Sequence, residues 1–474
     1  MRVRFAPSPT GYLHIGNART AVINYIIAKK YNAEYIIRIE DTDKERSTKE
    51  SEISILQDLK WLGINWTEGP DMDKGHGPYR QSERDHIYKE YTDRLLKSGH
   101  GFRCFCSREQ VEEDKAKAMA ENKPFHDRCR NMPLAEQERL AAEGKEFTVK
   151  FKVPENTEIS FDDKIKGTVT FNSDNIGGDF IIVRSDGGPV YNYIVIIDDA
   201  LMEVTHVIRG EDHLSNTPKQ ILIAKALDLP VPEYAHLPLI LGSDKKKLSK
   251  RHGITSVDLY KQEGYLPEAL MNYLGLLGWS TESGEELLEF ERLVELFELE
   301  NIGKSPAVFD FQKLKWMNGA YLKKYPLDKV TEMFIPYIKA AGFETLPERS
   351  KLEDIISALR NSCEILSDIS KFIGIFLNEI NEPDEETDSH LKEDYAIDII
   401  KICNELIEQI TPDEISSFIS KVKEKSPHKG KKLFHPIRAI VTGRLSGPEL
   451  DIVIPIIGFD KLKKRIKYAY SRYC

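Results

Sequence analysis

Short apolar runs alternate with longer, helix-patterned segments over the first 84 residues of this 474-residue chain. The apolar runs at 3–6 and 35–39 predict strands. Residues 18–30 instead have apolar positions at helical spacing, and residues 49–62 have the pattern of an amphipathic helix. Neighbouring parallel strands need crossover connections, which helices usually supply. The order therefore predicts an α/β domain with a parallel sheet.

This alternation is interrupted between residues 85 and 190, which we interpret as an insertion. Further apolar runs at 193–197 and 204–208 predict strands, and with a helix at 217–227 they complete the sheet. The insertion holds clustered cysteines, predicted helices at 88–98 and 109–121, and strand-like pieces at 146–153 and 179–184.

From residue 243 onward the pattern becomes mainly helical. Beyond about residue 325 we find only amphipathic helical segments, which predicts an all-α C-terminal region. The acidic stretch at 378–398 is the best candidate for a linker. The first helices of this half are predicted at 267–278, 289–297 and 310–321.

Composition narrows the class of protein. A chain of this length predicts about three domains. No apolar run approaches the roughly 18 residues that span a bilayer, and the N-terminus lacks the pattern of a signal peptide. Six cysteines are too few for a disulfide framework, so we expect a reducing cytoplasm and no membrane association. The net charge of −10 argues against a protein that coats nucleic acid, but allows a local basic face.

Such a face is predicted at the C-terminus. Residues 421–474 contain 14 Lys and Arg against 4 Asp and Glu. Interleaved aromatic residues suit phosphate contact with base stacking. A solvated helical surface would have the same composition, and the two interpretations are equally compatible with it. The aromatic residues are Phe434, Tyr468, Tyr470 and Tyr473.

A rigid turn joins the first predicted strand to the first helix. Pro7, Pro9 and Gly11 end the strand, and the helix opens near His14. A helix N-terminus favours an anion, and the small Gly16 would let a phosphate approach the backbone. His14 would face that anion as a donor, although a histidine at this position can also be only a cap.

The same stretch carries a family resemblance. RFAPSPTGYLHIGNART at 4–20 and KLSKR at 247–251 resemble the two signature sequences of class I aminoacyl-tRNA synthetases, and RIEDTD at 38–43 resembles glutamyl-tRNA synthetase specifically. The resemblance implies a split Rossmann-type catalytic domain with an α+β insertion. The implied domains are a first catalytic half (1–84), an acceptor-binding insertion (85–190), a second catalytic half (191–242), a stem-contact domain (243–324) and two helical anticodon-binding subdomains (325–378 and 379–474).

The resemblance implies a glutamate–tRNA ligase that forms glutamyl-adenylate from ATP with Mg²⁺. His14, Gly16 and Asn17 match the first signature, in which Asn17 replaces a second histidine. Lys247 and Lys250 match the two lysines of the second signature and would hold the phosphates. By itself KLSKR would indicate a basic surface loop or a nucleic-acid patch, and its place after the resumed sheet, far beyond HIGN, is what favours catalysis. The implied ATP-binding residues are Thr10, His14, Gly16, Asn17, Glu211, Lys247 and Lys250, and the implied catalytic residues are His14, Asn17, Lys247 and Lys250.

Glutamate needs a cation for its side-chain carboxylate and an anion for its ammonium group. The resemblance implies Arg4 and Arg209 for the carboxylate, where a guanidinium fork fits. It implies Glu40 for the ammonium group, although a carboxylate there could instead cap the next helix. Ala6, Ser8 and Tyr191 would complete the pocket, and the segment GPYRQSER at 77–84 is expected near the tRNA acceptor end.

Cys104, Cys106 and Cys129 cluster within the insertion, which suggests a structural zinc ion. Some relatives hold zinc in this region. Their fourth ligand has no counterpart here, because the equivalent positions carry Asn131 and Phe125. His126 and Asp127 are nearby substitutes, and three packed or oxidisable cysteines are the alternative. Cys363, Cys403 and Cys474 are dispersed and predicted to be packing residues.

The expected partners are glutamate and tRNA(Glu), bound by a monomer. Discriminating bacterial relatives carry an arginine where this chain has Ser362, with Arg360 two residues earlier, so tRNA(Gln) is a further candidate substrate. Three alternatives share parts of the pattern: a truncated relative that glutamylates a tRNA nucleoside, a short nucleotidyltransferase, and an inactive RNA-binding module. The helical tail argues against the first two, and retention of His14, Lys250 and Arg209 argues against the third.

Overall fold

The structure is a computed structural model that describes residues 1–121 and 125–474. The side chain of Lys250 lies outside the described part. The chain divides into two compact units, one of residues 1–260 and 270–310 and the other of residues 261–269 and 311–474. Within the described ranges, every helix is too short or too polar to cross a membrane.

Eleven strands and twenty α-helices make up the described chain. The strands are β1 (Arg2–Phe5), β2 (Glu34–Ile37), β3 (Gly101–Cys104), β4 (Thr148–Phe151), β5 (Glu158–Asp163), β6 (Gly167–Asn172), β7 (Phe180–Val183), β8 (His206–Gly210), β9 (Glu233–Leu237), β10 (Ile240–Leu241) and β11 (Ala307–Val308). The helices of the first half are α1 (Ile15–Lys30), α2 (Lys49–Trp61), α3 (Asp85–Lys97), α4 (Arg108–Ala120), α5 (Leu134–Ala142), α6 (Tyr191–Leu201), α7 (Thr217–Ala226), α8 (Val257–Glu263), α9 (Pro267–Leu276) and α10 (Phe290–Leu296). Those that follow are α11 (Phe311–Lys324), α12 (Leu327–Ala340), α13 (Arg349–Leu359), α14 (Gly374–Leu377), α15 (Glu385–Leu391), α16 (Asp394–Ile407), α17 (Phe418–Lys425), α18 (Lys431–Thr442), α19 (Leu450–Ile457) and α20 (Phe459–Tyr473).

The main sheet has six strands in the order β2-β1-β8-β9-β5-β6. All neighbouring pairs are parallel except β5 and β6. The predicted parallel sheet is therefore confirmed. In this sheet, β2 lies on one side of β1, and the strands β8 and β9, which come later in the chain, lie on its other side. The strand order therefore reverses direction at β1. Open parallel sheets bind ligands at such a switch point, outside the carboxyl ends of the strands.

Helix α1 is buried over most of its surface, because it packs against β1, β8 and α10. This explains why its sequence is apolar on nearly every face and only weakly amphipathic. Lys29 and Lys30 in its last turn match the negative end of the helix dipole.

One predicted strand is wrong. Residues 193–197 belong to helix α6, which runs from Tyr191 to Leu201. Each of these five side chains is buried, so the segment is apolar on all sides and carries no helical periodicity. Periodicity cannot separate a short buried strand from a buried helix. Asp198 and Asp199 follow the apolar run and are buried with it.

The insertion contributes to two sheets. Strands β3, β4 and β7 form a separate antiparallel sheet, whereas the hairpin of β5 and β6 extends the main sheet. The hairpin joins through β9, where Asp163 pairs with Tyr234. This hairpin was not predicted from the sequence, although polar and apolar residues alternate along most of β5.

The second unit is helical, and no strand follows Val308 in the part of the chain that the structure describes. Its core centres on α16, which packs against α17, α18 and α20. Cys363 and Cys403 are buried as predicted, whereas Cys474 is exposed, since it ends the chain after α20.

The acidic stretch predicted as a linker instead contains α15 and the start of α16. Its carboxylates pair with the basic helix α20: Glu379 contacts Lys464 at 2.9 Å, and Glu382 contacts Arg472 at 2.7 Å. Part of the predicted basic face is therefore neutralised within this unit. Tyr468 likewise donates its hydroxyl to Glu382. Of the predicted aromatic residues, Phe434 and Tyr470 are the exposed ones.

Candidate functional site

A cavity of about 720 Å³ opens at the carboxyl ends of the parallel strands of the main sheet. Its walls come from the segments that follow β1, β2, β8 and β9, as expected at the switch point of such a sheet. Eleven of the predicted substrate-binding residues line it: Arg4, Ala6, Ser8, Thr10, His14, Gly16, Asn17, Glu40, Tyr191, Arg209 and Lys247.

His14 is the N-cap of α1, and its Nδ1 accepts the backbone N–H of Gly16 at 3.1 Å. The neutral ring therefore carries its proton on Nε2. The residue is thus a cap, one of the two alternatives, and it also lines the cavity. The backbone N–H of Ile15 donates to Thr255, so two of the first N–H groups of the helix are already satisfied. Fewer backbone donors face an anion than the sequence suggested.

A buried ion-pair network forms the wall next to β1 and β2. Arg38 is completely buried and donates to Asp199 at 2.6 Å and to Glu40 at 3.1 Å. Arg4 also donates to Asp199, at 3.2 Å through Nε. Arg38 and Asp199 were not singled out from the sequence. Two adjacent aspartates after an apolar run were a signal, because buried carboxylates need partners.

Burial raises the pKa of Glu40, although Arg38 and Arg4 oppose the shift. Burial also disfavours the charged form of Asp199, but there the two arginines outweigh it and lower the pKa. Glu40 is therefore the less compensated carboxylate at the cavity. An ammonium group beside Glu40 would supply the missing positive charge.

Arg209 lies near the end of the central strand β8 and is buried in the wall of the cavity. Its Nη2 donates to Thr217 and to Gln220, both at 2.9 Å, and its Nε donates to His236 at 3.1 Å. Its Nη1 is buried and has no hydrogen-bond partner among the described residues. The guanidinium is thus fixed through three of its hydrogens, whereas the two hydrogens on Nη1 are not used by the described residues. Binding of a carboxylate by Arg209 stays a prediction.

His213 also lines the cavity and was not predicted. Its ring packs on Tyr191 with centroids 5.3 Å apart. Burial and the nearby charge of Arg209 lower the pKa of His213 to about 4. The imidazole is therefore neutral near pH 7, and leaves Arg209 as the charged group on this wall.

Of the two signature lysines, Lys247 has a described side chain and Lys250 does not. Lys247 lines the cavity and lies 3.3 Å from Asp212, with both side chains largely exposed. The pair is weak in such a setting, so Lys247 can move to a phosphate at little cost. The side chain of Lys250 lies outside the described part, and its role stays a prediction.

Glu211 has a different place from the one expected. It does not line the cavity. Its carboxylate accepts the backbone N–H of Leu239 at 2.8 Å and pairs with Lys166. These bonds tie the segment after β8 to the one after β9. The structure therefore gives Glu211 a role in shaping the wall.

The segment at 77–84 contributes to the cavity, and its place near the tRNA acceptor end stays a prediction. Gln81 lines the cavity, and Arg84 is buried against Asp198 at 2.7 Å. Gln81 donates to the same carboxylate at 2.9 Å. Asp198 thus joins this segment to helix α6 behind the cavity.

A second cluster lies in the insertion. Cys104, Cys106, Asp127 and Cys129 each offer one ligand atom, and these four atoms lie within 4.8 Å of one another. Three sulfurs and one carboxylate oxygen are a donor set that zinc accepts. The other substitute, His126, is partly exposed and faces Glu155 at 3.6 Å. The spacing of these four atoms is compatible with their binding one metal ion together.

The residues proposed for anticodon discrimination lie in a 3₁₀ turn after α13. Arg360 donates to the carbonyl of Lys323 at 3.0 Å and to that of Tyr325 at 3.3 Å. Its guanidinium therefore caps the end of α11, while Ser362 is half-buried. Any role of either residue in reading tRNA stays a prediction.

Comparison with known proteins gives concordant results over the whole chain. Residues 1–316 match the family described as tRNA synthetases class I (E and Q), catalytic domain, and residues 329–470 match an anticodon binding domain. Glutamate–tRNA ligases of Sulfurihydrogenibium sp. and Aquifex aeolicus are 47% and 46% identical, with 98% of both chains covered in each case. A crystal structure of a glutamate tRNA ligase from Elizabethkingia meningosepticum in complex with its amino acid is 30% identical, with a TM-score of 0.87 and complete coverage of both chains.

Proposed function

Because the chain belongs to the class I tRNA synthetases (E and Q), we propose that it is a glutamate–tRNA ligase. It activates glutamate with ATP and transfers the glutamyl group to the terminal ribose of tRNA(Glu). The observation that carries this proposal is the charge pattern of the cavity, which is lined by both the cation Arg209 and the carboxylate Glu40. The match of residues 329–470 to an anticodon binding domain argues against the truncated relative.

Glutamate binds between these two side chains. Its side-chain carboxylate binds Arg209, and Arg4 adds a second positive charge in the cavity. Its ammonium group lies beside Glu40, which lacks a full counter-charge. Tyr191 and Ser8 complete the pocket, with neutral His213 behind Tyr191.

ATP binds along the turn that opens α1. The remaining N–H groups of the helix, the Nε2–H of His14 and Lys247 provide donors for its phosphates. Lys250 joins them from the same loop. Negative charge builds on the α-phosphate as glutamate attacks, and these donors stabilise it. Mg²⁺ comes with ATP and neutralises phosphate charge, and ligands from a dedicated protein cage are not required.

We further propose that the insertion holds a structural zinc ion. Cys104, Cys106, Asp127 and Cys129 would bind it. Four anionic ligands exceed the charge of Zn²⁺, and buried Lys150, which pairs with Asp127, offsets part of the excess. The ion would connect the end of β3 to the turn at 125–129.

Purified protein is expected to contain close to one zinc ion per chain. Asp127→Ala and Cys129→Ser should each remove most of it, because three ligands hold zinc poorly. His126→Ala is the matched control, since its side chain neighbours the cluster without joining it, and should retain the metal. Atomic emission analysis of the four proteins makes the measurement. Wild-type protein without near-stoichiometric zinc would contradict the site.

The proposed partners are tRNA(Glu) and glutamate, with the enzyme acting as a cytoplasmic monomer. Whether tRNA(Gln) is also a substrate depends on the anticodon region. Since Arg360 caps the end of α11 and Ser362 replaces the discriminating arginine, we propose that both tRNAs are charged.

Aminoacylation with labelled glutamate on purified tRNA(Glu) and tRNA(Gln) tests the function. We expect label on both tRNAs. Label on tRNA(Glu) alone would sustain the ligase and refute relaxed discrimination. Label on neither tRNA would refute the ligase itself.

A further inference from the structure

Two completely buried side chains lie behind Arg209, and the proposed chemistry does not use them. The Nδ1 of His236 is 2.6 Å from Oδ2 of Asp163, and the Nε2 of His236 is 3.1 Å from Nε of Arg209. Both His236 and Asp163 have no exposed side-chain surface. The three residues lie on adjacent strands, Asp163 on β5, His236 on β9 and Arg209 on β8. A chain of hydrogen bonds therefore runs across the sheet from Asp163 through His236 to the guanidinium of Arg209.

The hydrogen bonds fix the direction of the imidazole. Nε of Arg209 can only donate, so Nε2 of His236 must accept, and the ring proton is on Nδ1. Asp163 is the acceptor for that proton. Backbone N–H groups of Ile165 and Lys166 also donate to the Asp163 carboxylate, at 3.0 and 2.8 Å. The carboxylate is thus held in place on its other side.

The charge states agree with this arrangement. Burial lowers the pKa of His236, despite the opposing effect of Asp163. The pKa of Asp163 is lowered although burial opposes this, because His236 and the backbone donors stabilise the anion. A neutral imidazole beside an ionised carboxylate is the state in which Nε2 accepts.

We propose that Asp163 and His236 are positioning residues for glutamate, which hold the guanidinium of Arg209 in one orientation at the cavity. This inference rests on the proposed role of Arg209 as the ligand of the glutamate carboxylate. Thr217 and Gln220 fix the Nη2 end, and His236 fixes the Nε end. A planar group held at both ends cannot rotate, so the orientation of Nη1 is set before the substrate arrives. Loss of the Nε acceptor would free the group to turn about its contact with Nη2.

The origin of Asp163 matters for this inference. It closes strand β5 of the insertion hairpin, and it pairs with Tyr234 on β9. The insertion therefore contributes a charged group, Asp163, that acts on the glutamate site through His236. Asp163 itself does not line the cavity.

Two substitutions of His236 separate positioning from packing. His236→Gln keeps an acceptor at the place of Nε2, whereas His236→Asn reaches only the place of Nδ1 and leaves Arg209 without one. We expect His236→Asn to raise the KM for glutamate about 10-fold to 100-fold, as misplacement of a binding group does. His236→Gln should raise the KM for glutamate much less than His236→Asn does. The KM for ATP should stay within about twofold of the wild-type value in both variants.

Asp163→Asn is a third variant. Its amide can donate to Nδ1, which would move the ring proton to Nε2 and set it against Nε–H of Arg209. We expect the same selective rise in the KM for glutamate. His206→Asn on β8 is the matched control and should behave as wild type, because His206 is half-buried at the start of its strand, next to Glu233.

The decisive readout is steady-state aminoacylation with glutamate and ATP varied separately. If His236→Gln and His236→Asn raise the KM for glutamate equally, the acceptor is irrelevant and the inference is overturned. It is also overturned if the KM values for glutamate and ATP rise together. Arg209→Ala tests the binding role of Arg209 separately from its positioning by His236 and Asp163. An unchanged KM for glutamate in that variant would refute the binding role itself. A large rise in Arg209→Ala with none in His236→Asn would refute only the positioning.

Discussion

Replacing Arg209 with alanine is expected to raise the KM for glutamate by about 30-fold to 4,000-fold, because removing one partner of a buried charge pair costs about 2–5 kcal/mol. The KM for ATP should change by less than about twofold, since we propose that the turn at His14 and Lys247 hold the phosphates. Steady-state aminoacylation with each substrate varied in turn measures both constants.

Arg209→Lys refines the same experiment. Lysine keeps the charge but cannot reach His236, Thr217 and Gln220 with one planar group, so we expect an intermediate KM for glutamate. Arg184→Ala is the control, because Arg184 is half-exposed in the insertion and pairs with neighbouring Asp186. Equal increases in the KM values for glutamate and ATP would show that Arg209 supports the fold of the cavity and does not bind the amino acid.

Replacing Arg38 with methionine is expected to lower the free energy of unfolding by about 3–5 kcal/mol, because it leaves buried carboxylates without a counter-charge. Arg38 is completely buried and lies 2.6 Å from Asp199, 3.1 Å from Glu40 and 3.9 Å from Asp198. Methionine fills much of the volume, so the loss is mainly electrostatic. Urea unfolding of variant and wild type measures the difference.

The loss should depend on pH. Without Arg38 the pKa values of the buried carboxylates rise above those in the unfolded chain. The folded variant then binds more protons than the unfolded one, so its stability decreases as the pH rises. The difference in the free energy of unfolding between wild type and variant should therefore become smaller as the pH falls from about 8 to about 5. Arg80→Met, which removes a partly exposed partner of Glu52, should cost far less. A large difference independent of pH would mean that packing, and not charge, explains the loss.

The fold of the first unit could largely be predicted from local pattern. The runs that predicted β1 and β2 are short and apolar, and the helix after the turn at His14 begins where the prolines and glycine indicated. The prediction failed at α6, where burial on every side removes the periodicity that distinguishes a helix. It failed again at β5 and β6, which were hidden inside a stretch interpreted as a separate insertion.

Most of the predicted substrate-binding residues line the cavity, but the contacts that fix them could not be predicted. Arg4 and Asp199 are 195 positions apart, and Asp163 and His236 are 73 apart. Pairings at such separations depend on strand order, which a single sequence does not specify. Glu211 shows the converse, because a carboxylate in the right motif turns to the backbone of Leu239 and away from the cavity.

The hairpin of β5 and β6 also limits how this enzyme could be shortened. A deletion of residues 85–190 would remove the neighbour of β9, expose its backbone edge and invite aggregation through that edge. It would also remove Asp163 from behind His236. A minimal catalytic fragment would therefore have to retain residues 158–172, so the segment serves as part of the catalytic scaffold and is not a detachable module.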